Sequence, residues 1–279
     1  MAEALYHSVE FTPHGGFTEG IEGPACDHAG NIYVVNYAHQ GSIGKVTPAG
    51  VCSVFVELPN GSIGNGIRFD RAGNMLIADY VNHNVLRVDM QTRAISVYAH
   101  EPQANQPNDI CITDDDILFA SDPSWARQDG QIWRIDQRGQ FKLIEANMGT
   151  TNGIEVSPDG HQLYVNETVQ RNIWVYDLSP HGEISNKRLL IQFPDHLMDG
   201  MRCDLAGNVY VTRYGKGVVA KISPQGEVLL EIALHGPRCS NITFGGPDGR
   251  TAYITMVDNG NLESFRVEVP GRHTRADGR

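Results

Sequence analysis

Residues 65–80 read N-G-I-R-F-D-R-A-G-N-M-L-I-A-D-Y, and a phrase of the same build occurs six times in the 279-residue chain. The six copies begin at regularly spaced polar residues: Glu22, Asn65, Asn108, Asn152, Asp199 and Asn241. The successive starts are 43, 43, 44, 47 and 42 residues apart. A regular period in the forties indicates that each copy builds one unit of a repetitive fold.

Each copy, together with the residues that follow it, fits four short strands. In the second copy the apolar runs I-R-F, M-L-I-A, V-L-R-V and A-I-S-V-Y are separated by Gly, Asn and Asp residues that favour turns. No run repeats with the 3.6-residue period of a helix, which predicts few or no helices. The pattern therefore predicts an all-β, six-bladed β-propeller with four-stranded blades around a central channel, forming a single domain over residues 1–279.

The two ends of the chain are predicted to differ. The sixth copy supplies only three clear strands, and the run A-L-Y-H-S-V-E-F at residues 4–11 is expected to supply the fourth. Such pairing closes the ring and covers strand edges that would otherwise be exposed. The polar tail G-R-H-T-R-A-D-G-R at residues 271–279 is predicted to be disordered.

Composition argues against several classes of partner. The chain has 33 acidic and 22 basic residues, and its formal charge of −11 disfavours binding to nucleic acid or to anionic membranes. No apolar run approaches the ~20 residues of a membrane helix. The first residues lack the features of a secretory signal, and five cysteines without paired spacing favour a reducing, cytoplasmic location. The sequence does not indicate an oligomeric state.

The polar residue at the start of each copy is the candidate for chemistry. Because the innermost strands of a propeller line its channel, equivalent positions form a ring around the axis. Turn preference accounts for Asn and Asp at these positions but not for Glu22. Carboxylate and amide oxygens suit one divalent cation, calcium first, with magnesium, manganese, zinc and iron(II) as alternatives. The charges of Glu22 and Asp199 together balance such an ion.

Several motifs resemble the gluconolactonase, senescence marker protein (regucalcin) and luciferin-regenerating enzyme family of six-bladed propellers. They are E-G-P at Glu22, P-N-D at Pro107, T-N-G at Thr151, D-G-M at Asp199 and F-G-G-P-D-G at Phe244. Each motif alone is weak, but together in register they are specific and cover nearly the whole chain.

The resemblance implies roles for individual residues. It implies that Glu22, Asn152 and Asp199 hold a catalytic metal, with Asn108 as a fourth ligand or a neighbour that binds through water. It also implies a hydrolase that opens a small sugar lactone by water attack on a metal-polarised carbonyl, with Asp199 as the candidate base. The expected substrate-binding residues face the same channel: Asn65, Gln106, Asn108 and Asn241.

Two other functions stay open at this point. Gln106 stands where several sugar-lactonase relatives carry an arginine, so the identity of the lactone does not carry over. The same ring of oxygens also suits a phosphotriester or fluorophosphate hydrolase. A non-catalytic, calcium-binding scaffold is the third possibility, because a propeller fold does not by itself define a function.

Overall fold

The computed structural model describes residues 4–272, which form 24 β-strands in six four-stranded antiparallel sheets. This part of the chain contains no helix, and so none that is long and apolar enough to cross a membrane. The sheets are the blades of a six-bladed propeller, which confirms the predicted fold class.

A short strand, β1 (Val9–Glu10), precedes the first blade. Blades 1 to 3 then follow in chain order, each from four consecutive strands. Blade 1 contains β2 (Phe17–Cys26), β3 (Ile32–Tyr37), β4 (Ser42–Val46) and β5 (Cys52–Glu57). Blade 2 contains β6 (Gly64–Phe69), β7 (Met75–Asp79), β8 (Asn84–Val88) and β9 (Ile95–His100). Blade 3 contains β10 (Ile110–Ile112), β11 (Leu118–Ser124), β12 (Asp129–Ile135) and β13 (Phe141–Met148).

Blades 4 and 5 have the same construction, whereas blade 6 takes one strand from the start of the chain. Blade 4 contains β14 (Thr151–Val156), β15 (Gln162–Glu167), β16 (Asn172–Leu178) and β17 (Ile184–Gln192). Blade 5 contains β18 (Met201–Cys203), β19 (Val209–Arg213), β20 (Val218–Ile222) and β21 (Val228–Ala233). Blade 6 contains β22 (Cys239–Gly245), β23 (Thr251–Met256) and β24 (Asn261–Arg266), with β1 as its outer strand.

The ring is closed by the two ends of the chain, as the sequence predicts. Val9 pairs with Ser264 and Glu10 with Glu263, antiparallel, and Leu5 forms a further bridge to Arg266. The regular strand is only two residues long, shorter than the predicted run. Around the axis each blade's first strand contacts the first strand of its neighbours, from β2 through β6, β10, β14, β18 and β22 back to β2.

Apolar side chains fill the spaces between neighbouring blades. Ile43 and Ile77, on facing blades, are both fully buried in one such cluster, and Ile154 lies in an equivalent cluster between blades 3 and 4. Each blade is covered on both faces, which explains why its middle strands read as continuous apolar runs rather than alternating ones. The packed blades form a rigid frame, and only the innermost strands carry polar side chains to the axis.

The prediction that disorder begins at residue 271 is wrong for the first two residues of the tail, Gly271 and Arg272. The backbone of Gly271 bridges to Asp204, and the N–H of Arg272 donates to the carbonyl of Cys203 at 2.7 Å. The side chain of Arg272 is buried, with 7% of its surface exposed. These two residues are held against blade 5, and residues 273–279 lie outside the described part of the chain.

Candidate active site at one end of the channel

The ring residues lie on the first strand of each blade or directly before it. Glu22, Asn65 and Asn152 lie inside β2, β6 and β14, whereas Asn108 and Asp199 precede β10 and β18. The strand pairing is irregular beside the three ring residues that lie inside strands. Such bulges re-aim side chains and are frequent next to active sites. A polar residue at the start of each copy suggests a position directly before the first strand of the blade, but of these five only Asn108 and Asp199 lie there.

The sixth member of the ring is Ser240, not Asn241 as the sequence predicts. Strand pairing shows which residues are equivalent. Glu155, three residues after Asn152, pairs with Tyr164, and Thr243 pairs with Tyr253 in the same way. Counting back three residues from Thr243 reaches Ser240. Asn241 corresponds instead to Asp109, whose backbone N–H likewise donates to a hydroxyl on the second strand of its own blade.

Asn241 nevertheless reaches the axis, one step deeper than the ring. Its Oδ1 accepts from the N–H of Ile242 at 2.8 Å, which turns its Nδ2 towards Glu22 Oε2 at 2.7 Å. The same Nδ2 lies 3.4 Å from Asp109 Oδ2. The amide of Asn241 thus acts as a donor between two carboxylates.

Glu22 and Asp199 are a half-buried carboxylate pair on the ring. Asp199 Oδ1 accepts from Asn152 Nδ2 at 2.8 Å, and Glu22 Oε2 accepts from the N–H of Gly23 at 2.6 Å. Glu22 Oε1 is buried and has no hydrogen-bond partner among the described residues. No ion pair in residues 4–272 joins either carboxylate to a Lys, Arg or His side chain. The pair therefore has spare acceptor oxygens and no counter-charge in direct contact.

Burial makes negative charge on this pair costly. It raises the pKa of Glu22 to about 7, and the neighbouring charge of Asp109 adds to the effect. Burial, followed by the charge of Glu22, also raises the pKa of Asp199. An added cation would relieve both contributions, because it favours the ionised form of each carboxylate.

The donor set fits a hard cation better than a zinc site rich in His or Cys. Within residues 4–272 no group of three His, Cys, Asp or Glu side chains is arranged to hold a metal ion. Two carboxylates remain, from Glu22 and Asp199, with the amides of Asn108 and Asn152 beside them on the wall of one cavity. Mixed carboxylate and amide oxygens completed by water are typical of calcium.

Gly23 is required where the chain leaves Glu22. Its φ is +56°, and a Cβ at this position would lie 1.8 Å from the carbonyl oxygen of Asn65. Only glycine accepts both the left-handed backbone and this approach. The E-G pair at the start of the first copy therefore sets the direction of the Glu22 side chain.

The predicted site residues other than Asn241 line a cavity of about 350 Å³ that opens at this end of the channel, which we call the mouth. Asn65 Oδ1 is buried there without a hydrogen-bond partner among the described residues. Gln106 is fixed through its backbone N–H, which donates to Asp122 Oδ1 at 2.6 Å. Trp125 stands at the rim, 43% exposed, and borders a second cavity of about 290 Å³ over the same carboxylates.

Below the ring lies a network of buried charges that the sequence analysis missed. Arg68 and Arg202 approach Asp109 at 3.6 and 3.4 Å, and both approach Glu155 Oε2 at 3.7 Å. Arg272 Nη1 lies 3.3 Å from the other oxygen of Glu155. We call these five side chains the axial charge network. It alternates in sign along the channel, from Asp109 beneath Glu22 to Arg272 at the opposite end.

The sequence does contain a pattern that indicates most of the axial charge network. Arg68, Glu155 and Arg202 each stand three residues after a ring position, and they pair with equivalent residues on the second strands of their blades. Charged residues at a position that faces the channel imply a second polar layer. Arg272 gave no comparable signal, because it lies outside the repeat.

Removing the charge of Arg272 is expected to destabilise the protein. Arg272→Gln leaves Glu155 with two cationic neighbours instead of three, at a cost of about 1–3 kcal/mol in the free energy of unfolding. Arg71→Gln is the matched control, because Arg71 is half exposed and its pair with Asp115 at 3.5 Å is accessible to water. Urea denaturation of both variants measures the difference; equal midpoints would show that Arg272 does not stabilise the channel.

The fold and the cavity together define a class: six-bladed propellers with a polar site on the axis. Within that class the chain belongs to the SMP-30/Gluconolactonase/LRE-like family, whose model matches residues 14–258.

Two similar proteins illustrate the range of the family. A gluconolactonase of Zymomonas mobilis is 27% identical over 274 residues, covering 85% of this chain and 76% of that protein. A diisopropyl-fluorophosphatase of Loligo vulgaris is 26% identical and covers 91% of this chain and 90% of its own. Alignments with four further relatives extend over only 45–56% of those proteins.

The solved structures show the same fold at lower identity. The structure of regucalcin from Agrobacterium tumefaciens, a calcium-binding protein, superposes with a TM-score of 0.80. It is 20% identical and covers 94% of this chain and 97% of its own. At this identity the likeness concerns the fold alone.

Proposed function

We propose that this protein is a lactonase that opens a small sugar lactone with the help of one divalent cation, calcium first, held by Glu22, Asn108, Asn152 and Asp199. The observation that carries the proposal is the half-buried Glu22–Asp199 pair, which lies on the wall of an open cavity and forms no ion pair with a cationic side chain of residues 4–272. Two such carboxylates are costly unless an ion compensates them.

The residues of the chain have distinct parts in this reaction. A divalent cation held by Glu22, Asn108, Asn152 and Asp199 would supply the positive charge that polarises the lactone carbonyl. Asp199 is oriented by Asn152 Nδ2, which lies 2.8 Å from its Oδ1. It accepts a proton from the attacking water while the water oxygen bonds to the carbonyl carbon. The ring C–O bond then breaks, and the departing oxygen takes that proton, which leaves the free hydroxy acid. Asn65, Gln106 and Asn108 hold the hydroxyl groups of the substrate.

The similar proteins support this choice of reaction. Gluconolactonase of Z. mobilis is a relative over most of both chains, and other relatives carry the names 6-deoxy-6-sulfogluconolactonase and pentonolactonase. The relation to a fluorophosphatase over 91% of this chain favours a phosphotriester or fluorophosphate as the second candidate substrate class. A non-catalytic, calcium-binding scaffold would use the same carboxylates, and metal-dependent turnover of a lactone distinguishes the enzyme from it.

Adding the correct cation is expected to stabilise the protein, and removing it to abolish lactone opening. A hundredfold excess of ion over its Kd contributes about 2.7 kcal/mol, enough to raise Tm by several degrees. Thermal melts with calcium, magnesium, manganese, zinc or iron(II), and acid release from lactones before and after chelation, measure both effects. Glu19→Gln, an exposed carboxylate at the same mouth, is the control that keeps the shift. Failure of all five ions to change Tm contradicts the proposed site.

A further inference from the structure

The mouth of the channel has two chemically different sides above the carboxylate pair. Blades 1 to 3 contribute what we call the amide side: Asn36, Asn65, Gln106 and Asn108. Blades 5 and 6, with the loop that leads into blade 5, contribute what we call the apolar side: Leu197, Met198, Tyr214 and Val257. Trp125 borders both. The two sides face each other across Glu22, Asn152 and Asp199, which belong to both cavities.

The two sides offer different interactions to a bound molecule. Asn65 Oδ1 is a buried acceptor without a partner among the described residues, so a hydroxyl donor from a ligand would satisfy it. On the apolar side Leu197 is 38% exposed although it borders a cavity, and Trp125 is 43% exposed. Apolar surface of this kind gains free energy when a ligand covers it.

The charge of the mouth is also selective. Among the described residues that line these two cavities there is no Lys, Arg or His, whereas Glu19 adds an exposed carboxylate. Two arginines close in sequence to residues that line the mouth are already paired: Arg238 Nε lies 2.6 Å from Asp258, and Arg127 Nε lies 2.9 Å from Asp129. A phosphate or sulfonate on the substrate would therefore find no counter-charge on the protein around the mouth.

We propose that the substrate is an uncharged lactone with hydroxyl groups on one side and an apolar substituent, such as a methyl group, on the other. This inference rests on the proposed function, because it places the lactone carbonyl over Glu22 and Asp199. The hydroxyl groups then lie on the amide side and the methyl group lies against Leu197 and Tyr214. The fully hydroxylated and the anionic sugar lactones fit less well, since they put a polar group on the apolar side.

Two matched pairs of lactones test this assignment. L-Rhamnonolactone and L-mannonolactone differ only in carrying a methyl or a hydroxymethyl group, and we expect kcat/KM to be about tenfold higher for the methyl compound. Gluconolactone and its 6-phosphate differ in charge, and we expect the phosphate to be turned over about 100-fold less efficiently. Acid release at saturating calcium measures all four.

A variant of the apolar side tests whether this surface causes the preference for the methyl over the hydroxymethyl lactone. Leu197→Asn is expected to abolish the tenfold preference for the methyl compound, measured as the ratio of kcat/KM for the methyl and hydroxymethyl lactones. Leu205→Asn is the control, because Leu205 is 53% exposed and lies in a turn beside Gly271, at the other end of the channel.

The outcomes distinguish the two proposals. If the protein opens lactones but treats the methyl and hydroxymethyl compounds alike, and Leu197→Asn behaves as Leu205→Asn does, the substrate assignment is overturned and the lactonase stands. Efficient opening of the 6-phosphate overturns it as well. If none of the four lactones is opened, both proposals are wrong.

Discussion

Replacing Asp199 with asparagine is expected to lower kcat about 10²- to 10⁴-fold further than replacing Glu22 with glutamine. Each substitution removes one negative charge and keeps an amide oxygen at the same position. Only the Asp199 variant also loses the proposed proton acceptor. The comparison therefore separates the role of Asp199 as a base from the role of both residues as ligands.

The measurement needs every variant saturated with cation, so that weak binding is not mistaken for slow chemistry. Calorimetric titration first gives the Kd of calcium for each variant, and kcat is then compared at a large excess. Equal losses of kcat in the two variants would make Asp199 a ligand only. Asp109 is then the next candidate for the base, because it is the carboxylate directly beneath Glu22 and lies 3.4 Å from Asn241 Nδ2.

Replacing Glu155 with glutamine is expected to cost about 3–5 kcal/mol of folding stability, since it leaves buried guanidinium groups without their counter-charge. Glu155 is the centre of the axial charge network, with Arg68, Arg202 and Arg272 within 3.7 Å of its oxygens. Removing its charge leaves Asp109 as the only remaining acid of the network for three buried cations.

The matched control is Glu145→Gln, whose pair with Lys187 at 3.0 Å is partly exposed. A surface pair of this kind contributes about 0–1 kcal/mol. Urea denaturation curves give the midpoint and slope for both variants. Similar midpoints would show that the charges of the axial network are not what holds the channel together, and that the apolar contacts between blades suffice.

The fold was predictable because each blade is local in sequence. The phrase that begins at Asn65 already contains the apolar runs that become β6 and β7, and its six copies give the number of blades. The position of Glu22, Asn152 and Asp199 on the axis follows from the same repetition. Strand boundaries were less predictable, because the bulges beside Glu22 and Asn152 depend on contacts with the neighbouring blade.

The charged layer could not be assembled from local patterns. Arg202 and Asp109 are 93 positions apart, and Arg272 meets Glu155 across 117. Nothing near Arg272 in the sequence indicates that its side chain is buried, since polar residues surround it. The sequence placed Asn241 in the ring, where the structure has Ser240, also because local patterns do not suffice. Asn241 looks like its counterparts in the other copies, and only the strand register shows that it is shifted by one residue.

The pairing of β1 with β24 also affects the order in which the chain assembles during synthesis. Blades 1 to 5 each form from consecutive hairpins, so they can begin to fold as they leave the ribosome. Val9 and Glu10 must wait for Ser264 and Glu263, which are made after all of blades 1 to 5. Until then the nascent chain is an open arc whose sixth blade lacks β24 and β1, and the Glu22–Asn241 contact between blades 1 and 6 is not held in place. The unfinished protein is therefore expected to be inactive and most prone to aggregation immediately before β24 is made.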